Sequence, residues 1–127
     1  MASNQTKDLH PRLVEAYLDT KERWIKLHPD GPNVVLTCTY RSNEEQAALY
    51  AKGRTAPGKR VTNAKPGSSN HNKYPSHAFD VGFLKGKKMD WTETPFRAFA
   101  KLLLEHHPDI TWGGRFKSLV DLPHFEI

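Results

Sequence analysis

Two short stretches of this chain carry side chains able to do chemistry together: His71, His77 and Asp80 in one, Asp121 and His124 in the other. Two imidazoles and one carboxylate are a standard ligand set for a hydrolytic zinc ion, which takes three protein ligands and leaves a fourth position for water. Such an ion lowers the pKa of its water to about 7 and polarises a carbonyl. A carboxylate close by must still take the proton and pass it to the leaving group. Asp80 as ligand, His124 on a neighbouring strand and Asp121 three positions upstream of it would supply these parts. On spacing alone His71 and His77 are both open as the other imidazole, and Asp121-Leu122-Pro123-His124 could equally be a capped turn. His10, His28, His106 and His107 sit beside prolines or at helix ends and read as exposed or capping side chains. The single cysteine, Cys38, excludes an intramolecular disulfide framework and any Cys-rich zinc site, so a metal here must use His and carboxylate.

The frame that must hold these groups follows from periodicity and punctuation. Pro11 suits a helix start, and Leu13, Tyr17, Trp24 and Leu27 recur at helical spacing from Arg12 to His28, where Pro29-Asp30-Gly31-Pro32 stops the pattern. Asn33 to Tyr40 is β-branched and apolar, a buried strand ending on Arg41, and Cys38 within it reads as an inert buried thiol. Ser42 with Glu45 three residues on is a capping-box signature, opening a helix through Gln46 and Ala51 that Gly53 terminates. From Arg54 to Ser76 the chain is aperiodic and punctuated by Pro57, Gly58, Pro66, Gly67 and Pro75, which predicts one long ordered loop. Ala78 to Leu84 alternates as a strand, Gly86-Lys87-Lys88 reads as a turn, and Thr94 to His107 is an amphipathic helix built on Phe96, Phe99, Leu102, Leu103 and Leu104. Short strands are expected around Ile110-Thr111-Trp112 and His124-Phe125-Glu126-Ile127. The sum is an α+β fold, with helices packed on a small, mainly antiparallel sheet.

At 127 residues and 14.5 kDa, the chain suits one domain and one site. With 37% hydrophobic and 26% charged residues, its composition is that of a globular protein and not of a disordered one. The polar N-terminus and the lack of a long apolar run predict neither signal peptide nor membrane span, hence synthesis in a cytoplasm. A net charge of +5 suits anionic partners: nucleic acid, an anionic envelope, or peptidoglycan with its acidic stems. The excess is local, since no acidic residue lies between Glu45 and Asp80 while Lys52, Arg54, Lys59, Arg60, Lys65 and Lys73 do. That interval is either a solvated basic loop or a rim that attracts an acidic substrate. A nucleic-acid-binding module would use it on phosphates, but would leave the histidines and aspartates without a purpose.

Three blocks carry a family resemblance. Ser69-Asn70-His71 followed by Pro75-Ser76-His77-Ala78-Phe79-Asp80-Val81 resembles the S-x-H…A-x-D signature of the zinc D,D-carboxypeptidase and L-alanyl-D-glutamate endopeptidase family, which includes many phage endolysins. Trp112-Gly113-Gly114 with Asp121-Leu122-Pro123-His124-Phe125-Glu126 resembles its W-G-G…D-x-P-H-F-E ending. Thr39-Tyr40-Arg41-Ser42 through Gln46, Leu49-Tyr50 and Gly53-Arg54-Thr55 is also family-like. The resemblance runs from about Val35 to Ile127 and implies a Hedgehog/D,D-peptidase-like fold. By it, His71, Asp80 and His124 fall on the zinc positions and Asp121 on the catalytic carboxylate. Arg41 falls on a substrate-binding or oxyanion-stabilising arginine, and Gln46 on a site-lining glutamine. Ser69 is taken with them as substrate-binding.

The commonest family form is H-x-x-G-x-A-x-D, whereas His71 and Asp80 lie nine positions apart and Pro75-Ser76 replaces the glycine turn. His77 thereby becomes a rival ligand. On an alternating strand, residue 78 shares the face of Asp80 and residue 77 points the other way, so His77 is expected to face away. Glu126, two positions from His124, could take that ring's second N–H, and Trp112 is expected to pack beneath the site. The implied activity is hydrolysis of peptidoglycan stem peptides, at the L-alanyl-D-glutamate bond because the Gly-Arg-Thr and Trp-Gly-Gly blocks favour that branch. D-Ala-D-Ala carboxypeptidase or dipeptidase action is the alternative. The implied setting is a monomeric endolysin without a separate wall-binding domain, which reaches the wall after a holin-type partner permeabilises the membrane.

Overall fold

Helix α1 spans Pro11–Leu27. Pro11 supplies its first turn, and the His10 ring accepts a hydrogen bond from Arg12 N (3.1 Å), satisfying one of the amides a helix start leaves open. The structure, a computed structural model, describes residues 2–127. After α1 come β1 (Asn33–Cys38), α2 (Asn43–Ala51), β2 (Ala78–Lys85), β3 (Lys88–Met89), α3 (Glu93–His106), β4 (Thr111–Trp112) and β5 (His124–Glu126). The strands form one antiparallel sheet in the order β1-β2-β5-β4, with β3 hydrogen-bonded to the far end of β2. Among the described residues no helix is long and apolar enough to cross a membrane.

Alternation along β2 divides the sheet into two faces. Phe79, Val81 and Phe83 are fully buried against Leu13, Tyr17 and Trp24 of α1 and Phe96, Phe99 and Leu103 of α3, with Val34 and Phe125 on the flanking strands. Aromatic rings knit this layer: Phe79 stacks on Phe125 at 5.2 Å, and Phe83 meets Phe96 edge-on at 4.9 Å. Each such ring contributes about 1.5–3 kcal/mol by burial. The helices thus cover one face, leaving Asp80 on the other.

Several boundaries differ from expectation for physical reasons. The first strand ends at Cys38 and not Tyr40, because its register with β2 slips between Leu36 and Cys38. Thr39 and Tyr40 instead bond the backbone of Ser3. The expected Gly86 turn closes a hairpin whose return strand is only Lys88–Met89, too short to show alternation. His107 is not an exposed cap: it is buried, with Nε2 at 2.7 Å from Asp19 Oδ2, and ties α3 to α1. The 54–76 segment carries no strand or helix beyond one 3-10 turn, Asn70–Asn72. Arg54 fastens it to α2 by donating to the Tyr50 and Thr62 carbonyls (2.7 and 3.1 Å) while lying over the Tyr50 ring.

Candidate active site

Asp80 and His124 are directly opposed residues of β2 and β5, a pairing that sets Cβ atoms about 5 Å apart. Both point to the face the helices leave open. His71 arrives on the turn Asn70–Asn72, which is pinned at both ends: Ser69 Oγ accepts from His71 N, and Asn72 Oδ1 accepts from Ser69 N, each at 3.2 Å.

Three atoms then converge. His71 Nε2 lies 3.3 Å from Asp80 Oδ1 and 3.2 Å from His124 Nδ1, and His124 Nδ1 lies 3.0 Å from Asp80 Oδ1. Their outer partners decide what these atoms carry. His71 Nδ1 lies 2.7 Å from the Thr39 carbonyl, which can only accept, so Nδ1 holds the proton and Nε2 of the neutral ring a lone pair. His124 Nε2 lies 2.5 Å from Glu126 Oε1, which likewise puts the proton outside and a lone pair on Nδ1. Three lone pairs therefore face one point.

That arrangement calls for positive charge. Burial works against a charged His71, yet the Asp80 carboxylate outweighs it and pushes the ring up to about 10. His124 is raised to about 9 by Asp80 and Glu126 in the same contest with burial. Burial would raise Asp80, but the two imidazoles hold it well below the usual carboxylate range. A tetrahedral zinc ion with ligands at about 2.0–2.1 Å separates its donor atoms by about 3.3 Å, close to the triangle observed, so the residues fit the metal. Cys38, His71 and Asp80 also lie within 4.8 Å of one another. The thiol, however, faces Nδ1 of His71 at 3.6 Å, the nitrogen already committed to Thr39.

Asp121 shares a 4.8 Å neighbourhood with Asp80 and His124. Its carboxyl is raised by burial and by the charge of Asp80, as suits a group that must accept a proton. The Trp112-Gly113-Gly114 block puts it there. Asp121 N donates to the Gly113 carbonyl (2.9 Å), and a Cβ on Gly113 would meet the Asp121 carbonyl at 2.3 Å. A Cβ on Gly114 would strike the Trp112 ring at 2.2 Å; the indole is buried in the core layer and donates to Leu122 O (2.8 Å).

Arg41 reaches the site from the other side, with Nη2 3.8 Å from Asp80 Oδ2. Its guanidinium donates to Gln46 Oε1 (2.9 Å) and to Cys38 Sγ (3.5 Å). Gln46, expected to line the site, is fully buried behind Arg41, where its amide also donates to the Ala64 carbonyl (2.8 Å). Ser69 lines the cleft. His77 does not; it packs edge-on against His10 at 4.9 Å.

The cleft holds about 480 Å³. Its floor is His71, Asp80, His124 and Glu126; one bank is Leu49, residues 61–64 and 68–70, the other Phe116, Ser118, Leu119 and Asp121. Sequence reasoning missed three contributors. The Thr39 carbonyl has no side-chain signature. Asn70, inside the first block, donates to Glu126 Oε2 (2.7 Å) and was legible only as a spacer. Cys38 is buried as expected but is not idle, since it touches both Arg41 and His71.

Residues 7–118 match the family described as VanY, D-alanyl-D-alanine carboxypeptidase. The peptidoglycan L-alanyl-D-glutamate endopeptidase CwlK of Bacillus subtilis (strain 168) is 36% identical over 133 residues, covering 94% of this chain and 74% of that protein. The crystal structure of Serratia marcescens L-Ala D-Glu endopeptidase ChiX matches all of this chain and 90% of its own, with a TM-score of 0.67 and 20% identity, a likeness of fold. A match over most of the length, together with the identity to CwlK, makes this chain a member of the VanY, D-alanyl-D-alanine carboxypeptidase, family.

Proposed function

We propose that this protein is a zinc-dependent peptidase that cuts peptidoglycan stem peptides at the L-alanyl-D-glutamate bond. The observation that carries the reading is the lone-pair triangle of His71, Asp80 and His124 with the Asp121 carboxylate beside it, open to a cleft. Zinc held by these three residues would supply a Lewis acid for the scissile carbonyl and a water acidic enough to attack it near neutral pH. Asp121 accepts a proton on its carboxylate and hands it to the leaving amine. Arg41, held in place by Gln46 and Cys38, stabilises the developing oxyanion or a substrate carboxylate. Ser69 keeps its hydroxyl hydrogen for the substrate, since its oxygen already accepts from His71 N.

Identity to CwlK favours the endopeptidase reading, while the family's own description favours D-Ala-D-Ala carboxypeptidase action as the second. Mass analysis of fragments from purified peptidoglycan separates them: free tri- or tetrapeptides lacking L-alanine support the first, released D-alanine the second. Intact wall after digestion with zinc-replete protein refutes both. The endolysin role belongs to the same proposal, a monomer made in a host cytoplasm that acts on the wall after a holin-type permeabiliser opens the membrane. It rests on the sequence resemblance to a family that includes phage endolysins, and Lys52, Lys59, Arg60, Lys65 and Lys73, all exposed, give the 52–73 segment the positive charge that suits an anionic wall. Lysis by the protein expressed alone, with the membrane undamaged, would refute the dependence.

A further inference from the structure

The floor of the cleft is polar, and its banks carry apolar side chains among polar ones. Val61 on one bank is 51% exposed and Leu119 on the other is 38% exposed, and both line the cleft. The banks meet beside them, where Asn63 Nδ2 donates to Ser118 Oγ at 3.3 Å. Two solvent-facing aliphatic side chains thus flank a single bridge across the opening. Leu119 is also the one described non-glycine residue with a left-handed backbone, φ +48°. That conformation suits glycine or asparagine, so Leu119 holds a costly backbone geometry beside the cleft.

We propose that Val61 and Leu119 form an apolar subsite for the L-alanine side of the scissile bond and set preference at that position. This deepens the stem-peptide reading above and rests on it. The two residues joined by that bond differ in character, one bearing a methyl group and the other a carboxylate. Among the described residues lining the cleft, Arg41 is the one cation besides the imidazoles, and it stands at the floor beside Asp80. It suits the acidic residue. A wall of valine and leucine would strip water from a carboxylate without pairing it, whereas it gains by covering a methyl. The left-handed turn at Leu119 presents the side chain on this bank two residues ahead of Asp121, so the subsite and the proton acceptor share one loop.

The test uses synthetic stem peptides with either L-alanine or glycine before the D-glutamate, and the zinc-replete protein as parent, Val61→Ala, Leu119→Ala and Leu119→Gly. The parent is expected to favour the alanine peptide in kcat/KM by about fourfold or more, the worth of one buried methyl group. Val61→Ala and Leu119→Ala each move that preference toward one, through KM, and calorimetric binding of the peptides to the metal-free protein shows the same loss of difference. Leu119→Gly, which relaxes the backbone but removes the side chain, behaves like Leu119→Ala. Retained preference in Leu119→Gly would assign the role to backbone alone and overturn the subsite, as would unchanged preference in Val61→Ala. If the parent cuts neither peptide, the stem-peptide reading falls and takes this inference with it; cleavage of both with preference unmoved by the variants sinks the subsite alone.

Discussion

Glu126 sits between two donors, and that makes Glu126→Gln a demanding probe of the site. Its Oε1 accepts from His124 Nε2 at 2.5 Å and its Oε2 from Asn70 Nδ2 at 2.7 Å. Glutamine has the same shape but offers one acceptor and one donor. With its carbonyl toward His124, its amino group confronts the Asn70 amino group; turned over, it confronts the His124 N–H. Unless the Asn70 amide also turns over, one bond is lost, and in every arrangement the bond that remains to His124 is no longer charge-assisted. A hydrogen bond to a charged group contributes about 1.5–3 kcal/mol, which matches the roughly 10- to 100-fold loss of metal affinity usual when a ligating histidine loses its outer partner. Competition titration against a chromophoric chelator should therefore show Glu126→Gln binding zinc about 10- to 100-fold more weakly than the parent. Adding Asn70→Asp returns an acceptor for the glutamine amino group and should recover about threefold or more. Parent-like zinc affinity in Glu126→Gln would refute the claim that this carboxylate sets the His124 ring, and absence of rescue would refute the donor-conflict argument.

Asp121→Asn should keep its zinc and melt near the parent while turning over about 10²–10⁴-fold more slowly; loss of metal would make Asp121 a ligand, and retained activity would move the base elsewhere. His71→Ala should lose the metal by elemental analysis and His77→Ala should not, since His77 packs on His10; the reverse would overturn the assignment. Arg41→Ala should slow hydrolysis with metal content intact, and Arg41→Lys should restore only part of the rate because lysine cannot keep both the Gln46 and Cys38 contacts; unfolding of Arg41→Ala would show a structural role instead. In the metal-free protein His71 and His124 are raised to about 10 and about 9, so the native state holds protons that the unfolded chain releases near 6.5. Their contribution to stability is full below about 6.5 and fades as pH rises through 9 and 10, so Tm of the zinc-free protein should fall across pH 7 to 10; a flat profile contradicts the triangle's electrostatics.

The frame was legible where a single period dominates. The 3.6-residue pattern placed α1 and α3 to within a residue or two, and the two-residue pattern of β2 told correctly which way His77 turns. Contacts between distant segments were not legible. Spacing alone left His71 and His77 as rivals, because what delivers His71 is a capped turn anchored by Ser69, Asn72 and the carbonyl of Thr39, 32 positions upstream. Gln46 was expected at the cleft and lies behind it, because its amide is spent on Thr62 and Ala64, 16 and 18 residues along. Gly113 and Gly114 could be seen as a motif, but the reason for them exists only once the Trp112 ring and the Asp121 backbone close on them.

The cleft divides its labour between two kinds of structure. Two of the three converging residues, Asp80 and His124, are locked by strand pairing, whereas residues 61–64 and 116–119 on the banks belong to no strand. New side chains on those banks need not disturb a single ladder hydrogen bond. One floor can therefore serve different bonds of the same polymer with only its edges changed, in keeping with the carboxypeptidase and endopeptidase names that this chain matches. Laboratory evolution of this chain toward another wall chemotype should accordingly confine its diversity to the banks, where innovation carries the least risk to the catalyst.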